Sequence, residues 1–591
     1  MSAVERPVSR GAKALAIALA LLPAARMAWI VFTYGENNLS NDYAYRVPLV
    51  ADLLEGRSSP SDVFQGTFIG GGHSWLGLLP FYWLDARFFA WDLHVELGIG
   101  LFLAALKTLL VWLAVGASLP ARARWALLPI LSALAFSVSQ VSTFTFGESV
   151  LQMQLSQIGL ALGALAMARL AARPGLRVAA LAGGGLLASW SWGGGVMTWP
   201  VFAAALLLSG ERALRRWAVL AAGAALGLSQ YVWLLVLRPP AGPPAGPGLS
   251  RPWRVLDLLG RPFANGTGRE FGLLPAAIAF GAAGLVLGTL VLAALGRGIR
   301  ERLPSAMIVG WSLLAALQIS LFREGIAPWY AAPMTAFWLG LASLFAAAPR
   351  TLRSAGFATI LLGFLFSNRT WEDKSFYLAS RAPVSAACLR EWRTAPPECH
   401  HAVFQWGDEG RLGELARLAE PLERHGLSVF GPRRTYLLQG DIGRGRVGLE
   451  PMSSTSFFSR DGVVPADPND FHRLDLVLAP GATATWRVDV PANIRLARFA
   501  SAVRAQPNGL HAGRYARFTV VSKDVHLQEH VFLEKGARRS VSLDLARFAG
   551  QSIRLEIHSE DAKAPAAPLL FEAPRIELNL QTSGDGTRTK S

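Results

Sequence analysis

The stretch Ala14-Leu-Ala-Ile-Ala-Leu-Ala-Leu-Leu-Pro-Ala-Ala-Arg-Met-Ala-Trp-Ile-Val-Phe-Thr-Tyr34 carries one charge, Arg26, and polar text follows: Asn37-Asn-Leu-Ser-Asn-Asp-Tyr-Ala-Tyr-Arg-Val-Pro-Leu-Val-Ala-Asp-Leu-Leu-Glu-Gly56. The first reads as a helix long enough to cross about 30 Å of hydrocarbon. The second opens a long polar connection on one membrane face. Outward from this pair the pattern repeats, with apolar runs near residues 12–33, 95–117, 124–141, 150–170, 178–192, 195–210, 217–237, 271–295, 304–322, 328–347 and 354–367, so eleven spans are expected. Of the 591 residues, 52% are hydrophobic and 17% charged, which disfavours a soluble enzyme. Residues 1–367 hold 27 Lys+Arg and 15 Asp+Glu, leaving 30 of the chain's 57 bases and 26 of its 41 acids to residues 368–591. A helical membrane domain, 1–367, is therefore followed by a soluble half.

Charge sets the expected topology. Arg6, Arg10 and Lys13 precede the first span, and every second connection is basic: Arg122/Arg124, Arg169/Arg173/Arg177, Arg212/Arg215/Arg216, Arg297/Arg300/Arg302 and Arg350/Arg353. The alternate short connections, Ser142–Ser149 and Ser191–Gly195, hold no Lys or Arg. By the positive-inside rule the N-terminus is cytoplasmic and residues 368–591 are extracytoplasmic. The same distribution accounts for most of the net charge of +16 without nucleic acid as a partner. Arg outnumbers Lys 50 to 7, a bias in keeping with a GC-rich bacterium and its inner (plasma) membrane. A signal peptide over Ala14–Leu22, followed by the small residues Pro23–Ala25, is the rival reading of the first run. An uncleaved helix is preferred because apolarity resumes at Met27–Thr33.

Two external connections are long, 34–94 and 238–270, whereas the cytoplasmic ones hold about ten residues or fewer. Polar groups are costly inside a bilayer, so chemistry is expected at the outer face. Asp42 stands just beyond the first span. Pro48 suits the first turn of a short helix with Leu49, Val50, Leu53 and Leu54 as its apolar stripe and Gly56 as its stop, as in a helix lying on the bilayer. Gly70-Gly-Gly-His73 is a flexible turn presenting an imidazole, and Phe81–Trp83 and Phe88–Trp91 suit the headgroup level. Trp190, Trp192 and Trp199 read as further interface anchors. Arg26 and Lys107 lie within apolar runs, so each needs a polar partner or a route to the interface. The sequence holds no Walker-type phosphate loop, CxxC, HExxH or GxSxG.

An acidic residue in a large first external loop, then short helices and a His-containing return, resembles the glycosyltransferase C superfamily of polytopic membrane enzymes. The resemblance runs on through Phe146-Gly-Glu148 with Gln152, Gln154 and Gln157, Ser189–Pro200, Leu258–Phe263 and Arg323-Glu-Gly-Ile-Ala-Pro-Trp-Tyr330. It implies transfer of a sugar from a polyprenyl-phosphate carrier to a glycan, lipid or protein acceptor, with inversion and with Asp42 as general base. It further implies Arg323, Arg261 and Arg269 as partners of the leaving phosphate, and His73, Glu148 and Tyr330 as substrate-binding residues. Many members show two adjacent acids where this chain has Asn41-Asp42, so a divalent metal is left open as a cofactor with no ligand assigned. Plainer roles stand beside these: Asp42 as a solvated loop or cap residue, Glu148 as a favourable charge at a helix N-terminus, and Arg323 with Glu324 as an interfacial pair. The rival functions are a lipid-linked glycan transporter or flippase and a non-catalytic glycan-binding envelope protein.

Residues 368–469 read as an extracytoplasmic α/β segment, with a helix over Gly410–Leu427 (Leu412, Leu415, Leu418, Leu422) and a short strand at Ser428–Phe430. Over 470–581, alternation at Ala484/Trp486/Val488/Val490, Val541/Leu543/Leu545 and Ile553/Leu555/Ile557 predicts an antiparallel β-sandwich. Ser540–Ile557 resembles galactose-binding-like jelly rolls, which implies carbohydrate binding. Residues 582–591 read as a disordered tail. Cys388 and Cys399 fall in the segment assigned outside, where an oxidising compartment permits a disulfide between them.

Overall fold

The computed structural model describes residues 7–35, 39, 42–69, 73–237, 253–265, 273–323 and 328–367. Beyond these it describes 385–386, 388–390, 392–393, 403–404, 412–431, 433–437, 450–451, 463–465, 476–478, 481, 483–505, 514–523, 525–533, 538–560 and 569–580. Arg269, Glu324, Cys399 and the predicted tail lie outside the described residues. The chain forms two compact units: one of Met1–Gly35, Gly56–Asp85 and His94–Phe376, the other of Glu36–Glu55, Ala86–Leu93 and Tyr377–Ser591.

In chain order the helices up to residue 367 are α1 (Arg10–Tyr34), α2 (Tyr43–Leu54), α3 (Pro60–Gly66), α4 (Leu79–Phe89), α5 (Leu93–Val115), α6 (Ala121–Ala135), α7 (Val141–Phe144) and α8 (Gly147–Arg169). They continue with α9 (Pro174–Ser189), α10 (Thr198–Leu208), α11 (Leu214–Leu237), α12 (Trp253–Gly260), α13 (Leu273–Leu295), α14 (Leu303–Phe322), α15 (Ala331–Ala347) and α16 (Arg350–Ser367). Every predicted apolar run contains a helix, but among the described residues only six stretches are long and apolar enough to cross a membrane: Arg10–Phe32, Leu93–Ser118, Ala121–Phe144, Gly147–Arg169, Leu274–Leu295 and Arg300–Phe322. The expected eleven is thus reduced to six on length and composition. Of the remainder, α9, α10 and α15 are short, while α11 and α16 begin among arginines. The outer faces of α1, α5 and α10 expose Leu15, Leu22, Phe32, Phe102 and Leu207, as lipid-facing surfaces do. The chain is a multi-pass membrane protein.

Glycine sets close helix contacts. A Cβ on Gly159 of α8 would lie 2.3 Å from the Gly184 carbonyl oxygen of α9, and one on Gly184 would lie 2.4 Å from that of Gly159, so the two backbones touch. Gly163, one turn on, leaves room for the Phe202 ring. Gly185 likewise makes space for Trp199, whose indole N–H donates to Ser189 Oγ at 2.8 Å. Trp192 and Trp199 are buried inside the bundle, which corrects their reading as interface anchors: glycine gaps admit the indoles that a lipid headgroup would otherwise hold. Lys107 finds its polar partner, donating to Gln157 Oε1 at 3.2 Å, and Gln157 Nε2 donates in turn to the Ala332 carbonyl. Between α10 and α11, Glu211 gathers the Ala213 N–H, Arg216 at 2.7 Å and Arg177 at 3.2 Å. The Ala213 N–H first, then Arg216, holds its carboxyl below the usual carboxylate range.

The second unit contains α2 and α17 (Leu412–His425), which pack on one another. Tyr43, Ala44, Val47, Leu49, Val50 and Ala51 of α2 are buried, as are Leu415, Leu418, Ala419 and Leu422 of α17. Of the predicted apolar stripe of α2, Leu49 and Val50 are buried and Leu53 and Leu54 half-buried, and α17 offers a matching stripe. Pro48 sits in the middle of α2 and not in its first turn, because the helix already starts at Tyr43; Gly56 follows its end at φ +70°, as a stop should. The expected strand at Ser428–Phe430 is a 3-10 turn, forced by Ser428 at φ +50° and closed by Gly431 N–H to the Ser428 carbonyl.

The strands are β1 (Phe68–Ile69) and β2 (His73–Ser74) in the first unit, then β3 (Arg433–Leu437), β4 (Glu450–Pro451), β5 (Val463–Pro465), β6 (Leu476–Leu478), β7 (Thr483–Asp489) and β8 (Ile494–Ala505) in the second. The second unit ends with β9 (Arg514–Val521), β10 (His526–Leu533), β11 (Arg538–Asp544), β12 (Ser552–Ser559) and β13 (Leu569–Leu580). They form two antiparallel sheets, β10-β9-β12-β7-β4 and β11-β8-β13-β6-β5, with β3 also paired to β13. The predicted alternation holds residue by residue: Ala484, Trp486, Val488 and Val490, Val541, Leu543 and Leu545, and Ile553, Leu555 and Ile557 are buried in one apolar cluster drawn from both sheets. Cys388 is buried and disulfide-bonded.

Two outcomes follow from the bundle's packing. Gly159→Leu should lower stability by about 1–3 kcal/mol, the usual penalty of overpacking, read as a lower thermal midpoint in detergent. Glu211→Gln should destabilise at neutral pH, where the depressed carboxyl is fully charged. The deficit against wild type should shrink as pH falls through that depressed value, where the wild-type contribution is itself lost.

Candidate functional site

His73 is built into place by short-range ties. Its strand β2 pairs with β1 in the register Ile69↔His73, and Trp75 N–H donates to the Thr67 carbonyl at 2.8 Å. From α11, Gln230 reaches three further points of this return: its Oε1 accepts from Ser74 Oγ at 2.5 Å, and its Nε2 donates to the Phe64 carbonyl at 2.8 Å and to Thr67 Oγ1 at 2.9 Å. Gly77 N–H donates to the Trp190 carbonyl at 2.8 Å, which ties the return to the end of α9.

That end of α9 leads into Gly193. Its N–H donates to His73 Nδ1 at 3.3 Å, and its carbonyl accepts from Gln318 Nε2 of α14 at 3.3 Å. The other imidazole nitrogen, Nε2, meets the guanidinium of Arg323. Arg323 closes α14, with its N–H on the Ile319 carbonyl, and its own carbonyl accepts from Arg254 of α12 at 3.0 Å. Both ring nitrogens of His73 therefore face donors, whereas a neutral imidazole has a single acceptor nitrogen.

The structure brings His73 and Arg323 together across 250 residues of sequence. Arg261 is buried and paired with Asp257, one helical turn earlier, at 3.2 Å. Glu148 lies buried in the first turn of α8, and Tyr330 is buried with its ring edge-on to Trp329. Asp42 belongs to the other unit: it is the N-cap residue of α2, half-buried, and its carboxylate makes no capping hydrogen bond to the helix it precedes. Among the described residues no group of three His, Cys, Asp or Glu could hold a metal ion.

Gln230, Gln318 and Arg254 were not singled out from sequence. Gln230 and Gln318 each interrupt an apolar run, at 217–237 and 304–322, and an amide in such a run requires partners. That signal was available. Gly159-Leu-Ala-Leu-Gly163 is likewise a GxxxG pattern within an apolar helix, which marks close backbone approach.

No protein-family model matches this sequence, and no curated protein matches it. Among solved structures it resembles an oligosaccharyltransferase from Archaeoglobus fulgidus, tethered with an acceptor peptide, at 10% identity and a TM-score of 0.37, covering 96% of this chain and 97% of that one. It also resembles the arabinofuranosyltransferase AftD from Mycobacteria, at 14% identity and a TM-score of 0.34, covering 97% of this chain and 59% of that one. Superpositions at this level relate neither residue to residue nor site to site.

Replacing Gln230 by Leu removes its bonds to Ser74 Oγ, Thr67 Oγ1 and the Phe64 carbonyl, while Thr67 Oγ1 keeps its bond to the Val63 carbonyl and Ser74 Oγ its longer one to Trp190. The expected result is a loss of about 1–3 kcal/mol in all. Thermal unfolding in detergent, together with faster amide exchange over residues 64–77, reads it.

Proposed function

We propose that this chain is a membrane glycosyltransferase that takes a sugar from a polyprenyl-phosphate carrier at the extracytoplasmic face of a bacterial inner membrane. It passes that sugar, with inversion, to a cell-envelope glycan, lipid or protein acceptor. The meeting of His73, Gly193 and Arg323 carries this reading. With Nδ1 accepting from the Gly193 N–H, the proton of a neutral His73 sits on Nε2 and faces a second donor, Arg323. An imidazole Nε2–H and a guanidinium side by side can both donate to one anionic oxygen. As the bond between sugar and phosphate breaks, negative charge grows on the phosphate. Donors held ready for it then favour the transition state over the ground state. Arg261 has Asp257 as its counter-charge.

Asp42 is the proposed general base. A carboxylate that is not used to cap its own helix keeps lone pairs for the acceptor hydroxyl, whose proton it takes as the oxygen attacks the anomeric carbon. Asn41 stands where a second acid would be needed to chelate a cation, and no described three-ligand cluster supplies one, so no step is routed through a metal. The two sheets of residues 450–580 are proposed as a sandwich that orients a glycan acceptor.

The test is transfer of labelled sugar from a synthetic polyprenyl-phosphate donor by protein reconstituted in vesicles. Asp42→Asn should lower kcat by about 10²–10⁴-fold, the range of general-base catalysis, with donor KM little changed. Arg323→Gln should lower kcat/KM by about 10²–10³-fold. Full activity of Asp42→Asn would remove it as the base. Movement of labelled lipid-sugar across the vesicle without product would instead identify a transporter.

A further inference from the structure

The first long connection contributes both of its edges, 36–55 and 86–93, to the same compact unit as residues 377–591. The helix that Asp42 caps is thus packed within the unit that contains the C-terminal sheets. Three sets of contacts fasten it there. Along its length, α2 buries Val47, Val50 and Ala51 while α17 buries Leu415, Leu418 and Leu422. At its start, Tyr43 meets Trp91 edge-on with ring centroids 6.1 Å apart, and the buried Arg46 guanidinium stacks 5.5 Å from the Tyr43 ring centre. At its end, the Glu55 carboxylate takes two partners from the last turn of α17: His425 Nε2 at 2.8 Å and Arg424 Nη1 at 3.4 Å. Arg424 is itself braced by Glu420 at 3.0 Å.

The backbone at this junction is also held against its preference. Ala90, Trp91 and Ser428 are the non-glycine residues with positive φ among those described, at 55°, 50° and 50°. They adjoin one another in space, because Ser428 N–H donates to the Ala90 carbonyl at 2.7 Å. Left-handed backbone at residues with a Cβ persists only where the surroundings over-determine it, and such positions cluster where a precise arrangement is needed. Here they join the turn after α17 to the segment that carries Trp91, the partner of Tyr43.

We infer that α17 and its following turn act as a clamp that sets the position of Asp42, with Glu55, His425 and Arg424 as positioning residues. This rests on the reading of Asp42 as general base. A helix of twelve residues is about 18 Å long and moves as a rigid rod, so a latch at Glu55 fixes the angle at which the opposite end presents its carboxylate. Displacement of a reacting group by about 1 Å lowers the rate by about 10²-fold without weakening substrate binding to the same extent. A purely structural contact would instead lower the amount of folded protein and leave the turnover of each molecule intact.

The experiment uses the full chain in vesicles and compares wild type, Glu55→Ala/His425→Ala, and the conservative Glu55→Gln, whose side-chain oxygen can still accept from His425 and Arg424. Amide exchange over residues 43–54 reads the clamp, and kcat and donor KM read its consequence. Expected for the double alanine variant are faster exchange in α2, a kcat at least ten-fold lower and a donor KM within about two-fold of wild type. The conservative Glu55→Gln variant should retain most of both readouts. Unchanged exchange in α2 would overturn the clamp. Faster exchange with unchanged kcat would overturn its positioning role. If Asp42→Asn is fully active while the double alanine variant loosens α2, the assignment of the base fails and the clamp stands as structure alone.

Discussion

The arrangement of the first unit depends on close backbone approaches at glycine, that of α12 and α13 at Gly260 and Gly281 and that of α8 and α9 at Gly159 and Gly184. Lipid tails are as apolar as leucine, so helices in a bilayer gain little from hiding apolar surface and associate through close packing and hydrogen bonds. A Cβ at Gly159 or Gly184 would sit inside the partner's carbonyl oxygen. This contact decides where α9 ends and how the chain turns back. Just beyond that end, a Cβ on Gly195 would lie 1.9 Å from the Ala188 carbonyl oxygen and 3.0 Å from Ser156 Oγ of α8, so the turn is pressed onto the same two helices. Gly193 is thereby delivered with its N–H toward His73 and its carbonyl toward Gln318. The donor cluster inherits its precision from glycines deep in the bundle.

Several polar side chains in the apolar helices are tied to a group on another element. Lys107 is held by Gln157, which reaches the Ala332 carbonyl; Gln230 holds the return that carries His73; Trp199 donates to Ser189. Such groups cost several kcal/mol when left unsatisfied in hydrocarbon. Their pairing therefore orders the bundle as effectively as packing does, and with more directional precision. At another connection of the bundle Glu211 does the same for α9 and α11 through Arg177 and Arg216, with the charge of the carboxylate fully engaged.

What was legible in the sequence was periodicity and local chemistry. Alternation at 484–490 and 553–557, the helical spacing at 412–422 and the positions of the apolar runs each depend on neighbours close in the chain, and the structure keeps them. His73 and Arg323 were each legible as candidates from their own surroundings, but their meeting is a property of the fold. Where a distant partner decides the outcome, local reading failed. Ser428–Phe430 looks like a strand until Ala90 accepts the Ser428 N–H; Trp192 and Trp199 look like anchors until glycine gaps receive them. Of the eleven expected spans, six have helices long and apolar enough to cross a membrane among the described residues, and each of the other five runs holds a helix that is shorter or begins among arginines.

The division of the chain into two units also separates the two halves of the proposed chemistry. Donors suited to phosphate are set by α9, α11 and α14, whereas the carboxylate suited to deprotonate an acceptor is set by α2 against α17. Stabilising a leaving phosphate and activating a hydroxyl require opposite charges, and a low-dielectric setting makes opposite charges neutralise one another when they share a rigid frame. Arg261 and Asp257 show that outcome within one helical turn.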